Sequence, residues 1–351
     1  MVTCVDGVAH HESCGDGEYC NFGGCVETTI HLPEDLGPHE YTTEWWYYTG
    51  HLTSDDRRYG FEVTLFQFLL GPLETYMCHV AVIDEDAGVH YHVAELDGDT
   101  ETWTADPVDL EVLDCHFQIG ADGVDHIRGV IPDGDEDDGH PGEWVIELTL
   151  TSRKPIVRHG GDGVIPMGTA GGESWYYSRT RLQAEGTLST PDRGEQAVTG
   201  QAWTDHQWGD FDVNEFKGWD WWSMQLDDGY EVMLFQFRDW DSVLVSQAGS
   251  IVDPDGNVTE LEGFDDFSVT TLREWESPHT DGVYPLDWDV TIVPMGWSVH
   301  VRTAIDDQEM HNPLQNYWEG VVTITGSRGG DAVEGVGYVE LTGYATDPFD
   351  P

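Results

Sequence analysis

The chain has 351 residues, and its 68 acidic against 14 basic side chains give a formal net charge of −54. Nucleic acid and anionic membranes are bound through Lys and Arg, so a chain whose lysines are Lys154 and Lys217 alone is a partner for neither. Hydrophobic and aromatic contents of 39% and 12% rule out global disorder. At about 100–200 residues per domain the length points to two domains. The acidic surface is read as solubilising and salt-adapted, with a specific cation-binding role as the alternative.

The first predicted unit is a cysteine-rich segment, 1–37. Cys4, Cys14, Cys20 and Cys25 fall within 22 residues of small polar sequence, a density expected of a two-disulfide knob on an exported protein, whether secreted, periplasmic or displayed at the cell surface. A zinc site with His10 and His11 is the alternative, although no C-x2-C pair is present. No signal peptide and no apolar run long enough to span a membrane is found, as expected of a mature or trimmed chain.

From residue 38 onward the pattern predicts short strands at 41–53, 59–69, 76–84, 88–95, 110–119, 125–131, 143–152 and 174–189. It resumes at 197–205, 218–226, 229–238, 243–252, 266–273, 287–293, 297–303, 317–325 and 335–345. No segment carries a 3.6-residue period, and turn signals such as DDG at 227–229 and PDG at 254–256 sit at hairpin distances. STPDRGEQ breaks the pattern near 190–196, which divides the strands into domains 38–193 and 194–351.

Along this run Cys78 and Cys115 lie in predicted strands, either paired with each other or simply buried. Asp133, Asp135 and Asp137 look like a calcium loop, but Gly139 falls one place late for the turn and Trp144 stands where a bidentate Glu is needed, so a solvated loop is expected. His90 and His92 share a strand face without an evident third ligand. No metal or cofactor is expected.

FEVTLFQF at 61–68 and YEVMLFQF at 230–237 agree at six of eight positions, and each follows a Trp-rich run, EWWYYTGHL at 44–52 and GWDWWSMQL at 218–226. Self-similarity at this separation indicates two domains built on one plan, because solenoid units repeat every ~20–50 residues. In the first copy Phe61, Val63 and Leu65 alternate with Glu62, Thr64, Phe66 and Phe68, so apolar side chains occupy both faces. Such a strand must be covered on both sides. A closed barrel backed by another domain satisfies this, and a filled sandwich is the alternative.

The densest polar and aromatic cluster is GQAWTDHQWGD at 200–210. Extended backbone places Thr204, His206 and Trp208 on one face and Trp203, Asp205 and Gln207 on the other. An imidazole beside an indole suits protonation of an electron-rich carbon and stabilisation of the cation that results. The plainer alternative is a hydrogen-bonded barrel histidine with Trp208 as core. No G-x-S-x-G elbow and no H-E-x-x-H helix occurs, and HGGDG at 159–163 resembles an oxyanion loop that lacks a nucleophile.

Taken in order, EWWYYTGHL (44–52), YGFEVTLFQF (59–68), SWYYSRTRL (174–182), GQAWTDHQWGD (200–210), GWDWWSMQLDDG (218–229), YWEG (317–320) and GVGYVELTGY (335–344) resemble one family. It is the two-domain lipocalin-like family that includes carotenoid 1,2-hydratases, AttH-like predicted secreted hydrolases and lipocalin-fold Diels–Alderases. The resemblance spans about residues 38–345 and omits the cysteine segment. It implies an all-β fold of two consecutive lipocalin-like β-barrels packed together, with an apolar ligand cavity.

In the hydratases a His-x-Trp pair and a later Tyr-x-Asp pair are implicated. His206 and Trp208 match the first, while the second falls on Met233 and Phe235, which neither donate a proton nor activate water. The expected catalytic residues are therefore His206, Trp208 and Asp205. Glu44, Trp46, Tyr48, His79, Tyr177, Asp220, Trp222, Arg238, Tyr317 and Glu319, in the matching motifs, are expected to hold ligand.

The expected function is binding of an isoprenoid or polyene, with acid–base hydration or cyclisation of its double bonds. A non-catalytic carrier, a Diels–Alderase-like cyclase and a secreted hydrolase are the alternatives.

Overall fold

The computed structural model describes residues 3–5, 8–10, 18–21, 24–27, 30–70, 73–97, 101–105, 108–133, 142–167, 172–211, 215–311 and 316–346. For residues 1–29 this is backbone alone, forming two small hairpins, β1 (Thr3–Val5) with β2 (Val8–His10) and β3 (Glu18–Asn21) with β4 (Gly24–Glu27). The expected pairing of Cys4, Cys14, Cys20 and Cys25 lies outside the described residues, as does most of the aspartate loop after Asp133. Glu34–Leu36 forms a 3-10 turn. No helix among the described residues is long and apolar enough to cross a membrane.

The first large sheet begins with β5 (Thr43–Ser54), β6 (Arg57–Leu70), β7 (Leu73–Asp84), β8 (Val89–Asp97), β9 (Glu101–Ala105) and β10 (Val108–Val112). It continues with β11 (Cys115–Ile119), β12 (Val124–Ile131), β13 (Trp144–Ser152), β14 (Val157–Arg158), β15 (Val164–Met167), β16 (Gly172–Thr190) and β17 (Gly194–Gly209). The second comprises β18 (Gly218–Leu226), β19 (Glu231–Arg238), β20 (Leu244–Val252), β21 (Val258–Glu262), β22 (Phe267–Glu276) and β23 (Val283–Ile292). It ends with β24 (Trp297–Thr303), β25 (Glu309–Met310), β26 (Tyr317–Arg328) and β27 (Asp331–Thr342).

The strand orders repeat. The first sheet runs β8-β7-β6-β5-β17-β16 and on to β9, and the second runs β21-β20-β19-β18-β27-β26 and on to β22. Register sharpens the correspondence, because Glu44 faces Gln67 across β5 and β6 while Asp220 faces Gln236 across β18 and β19. Glu-Trp-Trp at 44–46 thus corresponds to Asp-Trp-Trp at 220–222, and both copies of Phe-Gln-Phe occupy the same place.

Each sheet curls around its own apolar core, Phe61, Val63 and Leu65 lying in the first and Trp222, Leu234 and Trp288 in the second. A third apolar layer, with Tyr47, Tyr176, Trp221 and Phe235, separates the two sheets. Hence β6 is buried on both faces, and Glu62 and Thr64 on its outer face are 0% exposed. Cys78 and Cys115, both fully buried, join β7 to β11 in a disulfide.

Lys154 crosses to the second sheet, where its Nζ donates to Glu231 Oε2 at 2.6 Å and to the carbonyls of Gly229 and Asp253 at 2.6 Å. Arg181 pairs with the other oxygen of Glu231. One of the two lysines therefore clamps the halves together.

The two expected lipocalin-like units are present, each as a curled sheet forming a half-barrel, with β8 and β9 at the ends of the first path and β21 and β22 at the ends of the second among the described residues. Two details differ from expectation. The boundary near 193 is too early, because β17 pairs with β16 and β5, and the chain leaves the first sheet only after Gly209. STPDRGEQ is a hairpin turn inside that sheet. Strands β9 and β21 were not expected, since terminal strands such as VTELE are exposed and charged and carry little apolar alternation.

Candidate functional site

Alternation sorts the side chains of β5 and β17 onto two faces. Trp45, Tyr47, Asp205 and Gln207 face the second sheet, while Glu44, Trp46, Tyr48, His206 and Trp208 face the first core. With Trp219, Trp221, Phe235 and Phe237, the outward group walls a cavity of about 130 Å³ between the sheets. Its polar lining includes Tyr176, Asp205, Tyr317, Glu319 and Glu340.

Asp205 accepts hydrogen bonds from Tyr176 Oη at 2.6 Å, from Trp203 Nε1 at 2.6 Å and from Ser178 Oγ. Burial pushes its carboxyl up to about 6, against the lowering effect of those donors. Glu319 accepts from Tyr47 Oη at 2.9 Å. Burial, reinforced by the Glu340 and Glu62 carboxyls, holds it well above the usual carboxylate range. Burial likewise raises Glu340 to about 7, with the Trp219 indole opposing. An apolar chamber thus contains carboxyl groups whose affinity for protons burial raises above the ordinary range.

Two further groups brace this chamber. His79 Nδ1 meets Tyr317 Oη at 2.5 Å, and burial, with His92 adding to it, lowers this imidazole to about 3. His159, at the start of the HGGDG loop, meets Ser178 Oγ at 2.7 Å with Nε2. Ser178 in turn donates to Asp205, so the loop supports a carboxylic acid and presents no nucleophile.

The remaining expected residues lie elsewhere. In the first barrel His206 Nε2 meets Glu44 Oε1 at 2.7 Å and Nδ1 meets Tyr177 Oη at 3.2 Å. Its ring packs on Trp46 and Trp208 at centroid distances of 4.7 and 4.6 Å. Burial lowers the pKa of His206 although Glu44 opposes it.

His39 Nδ1 reaches the same Glu44 oxygen at 2.7 Å, and its ring stacks on Trp208 at 4.1 Å. For His39 burial is outweighed by hydrogen bonds to Asp35 and Glu44, which raise it to about 9. Among the described residues, His39, Glu44 and His206 offer three metal-ligating atoms within 4.8 Å of one another.

Tyr48 belongs to a separate network, donating to Asp125 Oδ2 at 3.0 Å. In the second barrel Arg238 Nη2 donates to Asp220 Oδ1 at 3.1 Å and its guanidinium lies 3.9 Å over the Tyr344 ring, while Trp222 is core. Of the expected set, Asp205, Tyr317 and Glu319 meet at the cavity, with His79 behind Tyr317. Tyr47, Tyr176, Trp221 and Glu340 were missed. Tyr47 and Tyr176 stand next to the expected Tyr48 and Tyr177, and the two-sided apolar strand at 61–68 was the signal that the other face was also buried.

The comparisons agree with this architecture. The model of the AttH-like family matches residues 26–344. A kievitone hydratase from Fusarium solani subsp. phaseoli is 24% identical over 320 residues, covering 86% of this chain and 82% of its own length. Among solved structures, a protein described as an AttH from Nitrosomonas europaea superposes with a TM-score of 0.77 at 29% identity, over 90% of this chain and 98% of that one. Kievitone hydratase from Nectria haematococca gives 0.71 at 18% identity over 91% and 94%, and CghA with Sch210972 gives 0.53 at 11% over 87% and 89%. The last two are similar in fold. The two-half-barrel lipocalin architecture is therefore common to a hydratase, to CghA and to this protein, and the chain belongs to the AttH-like family.

Proposed function

We propose that the protein binds an apolar isoprenoid or polyene between its two sheets and adds water to, or cyclises, one of its double bonds. What carries the proposal is the aromatic-walled cavity into which Asp205, Glu319 and Glu340 bring carboxyl groups that burial holds above the usual carboxylate range, Glu319 the most strongly. Glu319, oriented by Tyr47, gives its proton to one alkene carbon, and the cation formed at the other lies against indole and phenyl faces. Water then adds to the cation and loses its proton to the Glu319 carboxylate, so that one water is consumed and the acid is restored. When a second double bond attacks the cation in its place and a proton returns to a carboxylate, the product is an isomer.

In this scheme the acid–base work passes from His206 to the cavity carboxyls. His206 and Trp208 lie on the other face of β17. The Cys78–Cys115 disulfide supports an oxidising compartment and hence export.

The test is incubation with an isoprenoid and polyene extract, followed by mass analysis of what the protein releases. A product heavier by one water, or an isomer, is expected. Glu319→Gln should retain ligand and lose about 10²–10⁴-fold in rate. Lipid recovered unchanged would instead establish a carrier, a second reading favoured by the apolar Met233 and Phe235 at the places of the hydratase Tyr-x-Asp pair. No bound lipid would sink both.

A further inference from the structure

We propose that the first barrel carries a metal site, independent of the cavity, in which His39, Glu44 and His206 bind one divalent transition-metal ion. The three ligands come from different parts of the chain: His39 from the turn after the 3-10 segment, Glu44 from β5, and His206 from β17, 162 positions beyond Glu44. Both imidazole nitrogens converge on one carboxylate oxygen, each 2.7 Å from Glu44 Oε1. An ion bonded at about 2.0–2.1 Å to each ligand needs these atoms only about half an ångström farther apart.

The surroundings suit an ion as well. A metal-bound imidazole ordinarily donates its second N–H to an oxygen that fixes the tautomer. The far nitrogen of His206 lies 3.2 Å from Tyr177 Oη, and that of His39 lies 3.5 Å from Asp35 Oδ1. With the ion bound, His39 keeps its proton on Nε2 and His206 on Nδ1, and any proton on the two inward nitrogens leaves to solvent. Trp46 and Trp208 pack on the histidine rings and shield the site. Access is from the side of His39 and Asp35, whose side chains are 16% and 23% exposed.

Two imidazoles and one carboxylate form a donor set for zinc and its first-row neighbours, whereas calcium and magnesium take oxygen shells. That difference matters in a chain of net charge −54, because an acidic surface also collects hard cations. Three protein ligands leave a fourth position for water or another small ligand.

The experiment is titration of chelator-stripped, full-length protein with Zn²⁺ in excess Mg²⁺, by calorimetry and by elemental analysis after gel filtration, beside His39→Ala and Glu44→Gln. His39 lies at the open edge of the site, so His39→Ala is the variant that keeps the fold; circular dichroism and the thermal midpoint verify it. Zinc held by the cysteine segment or by the surface cancels in the difference. The expected result is one Zn²⁺ fewer per chain in each folded variant, or affinity at least about tenfold weaker, with a zinc-dependent rise of Tm in the native protein alone. Equal zinc stoichiometry and affinity in native protein and His39→Ala would overturn the proposal, as would zinc binding that Mg²⁺ abolishes.

Discussion

Inside the first barrel, Arg179 donates through Nη1 to both oxygens of Asp125 at 2.7 Å, and Asp125 also accepts from Tyr48 Oη and from the amide of Gly120 at 3.0 Å. Asp125 is 0% exposed. A buried carboxylate deprived of its cation loses far more than a surface pair would, because water cannot replace the missing charge. Arg179→Met should therefore destabilise the protein by about 3–5 kcal/mol, read as a lower urea midpoint. Converting Asp125 to Leu in the same chain should restore much of the loss. A single variant as stable as the native protein would show that the pair contributes nothing.

The strands do double duty, each of the central ones walling a barrel with one face and the cavity layer with the other. Such packing leaves little room where the sheets approach. A Cβ on Gly60 of β6 would lie 2.3 Å from Val321 Cγ1 of β26, so the glycine is required by the contact between the halves. Gly60→Ala should cost about 1–3 kcal/mol by overpacking. Val321→Ala in the same chain should recover part of it, and thermal unfolding of the single and double variants checks this. The two faces of β17 also explain why Asp205 and His206, adjacent in sequence, have different surroundings, Asp205 lining the cavity and His206 meeting Glu44.

At the scale of the whole molecule, 68 acidic groups repel one another over a Debye length of about 8–10 Å at moderate salt. Sodium chloride should raise Tm. The buried carboxyls act in the same direction as this repulsion when the pH is increased. Asp205 and Glu340 titrate at about 6 and about 7 in the folded protein, above their ordinary values of 3.8 and 4.5. Folding therefore retains protons that the unfolded chain releases, and the stability they contribute is complete below the ordinary values and lost as the pH rises through 6 and 7.

Up to the ordinary histidine value of 6.5 the buried neutral imidazoles of His79 and His159 act in the opposite sense, so Tm should fall above it, to about pH 8, and the slope should flatten in Asp205→Asn combined with Glu340→Gln. Turnover that depends on protonated carboxyls should decline over the same range. A Tm that rises across it would contradict the assignment.

Much of the architecture is legible in the chain because strand geometry is local. A period of two determines which side chains share a face, so the split between Asp205 and His206 follows from GQAWTDHQWGD alone. The repeat of Phe-Gln-Phe after a Trp-rich run determines that the fold was built twice, and apolar residues on both faces of 61–68 determine that both faces are covered.

Only the tertiary structure decided which face looks into a barrel and which into the cavity, since two apolar faces are equivalent until a second sheet packs on one of them. It also decided that Glu319, Asp205 and Glu340 hold protons to higher pH than ordinary carboxyls, because a carboxyl pKa depends on water excluded by residues far away in the chain. The meeting of His39 and Glu44 with His206 is of the same kind: proximity across 162 positions is a property of the folded sheet, on which a local sequence pattern has no purchase.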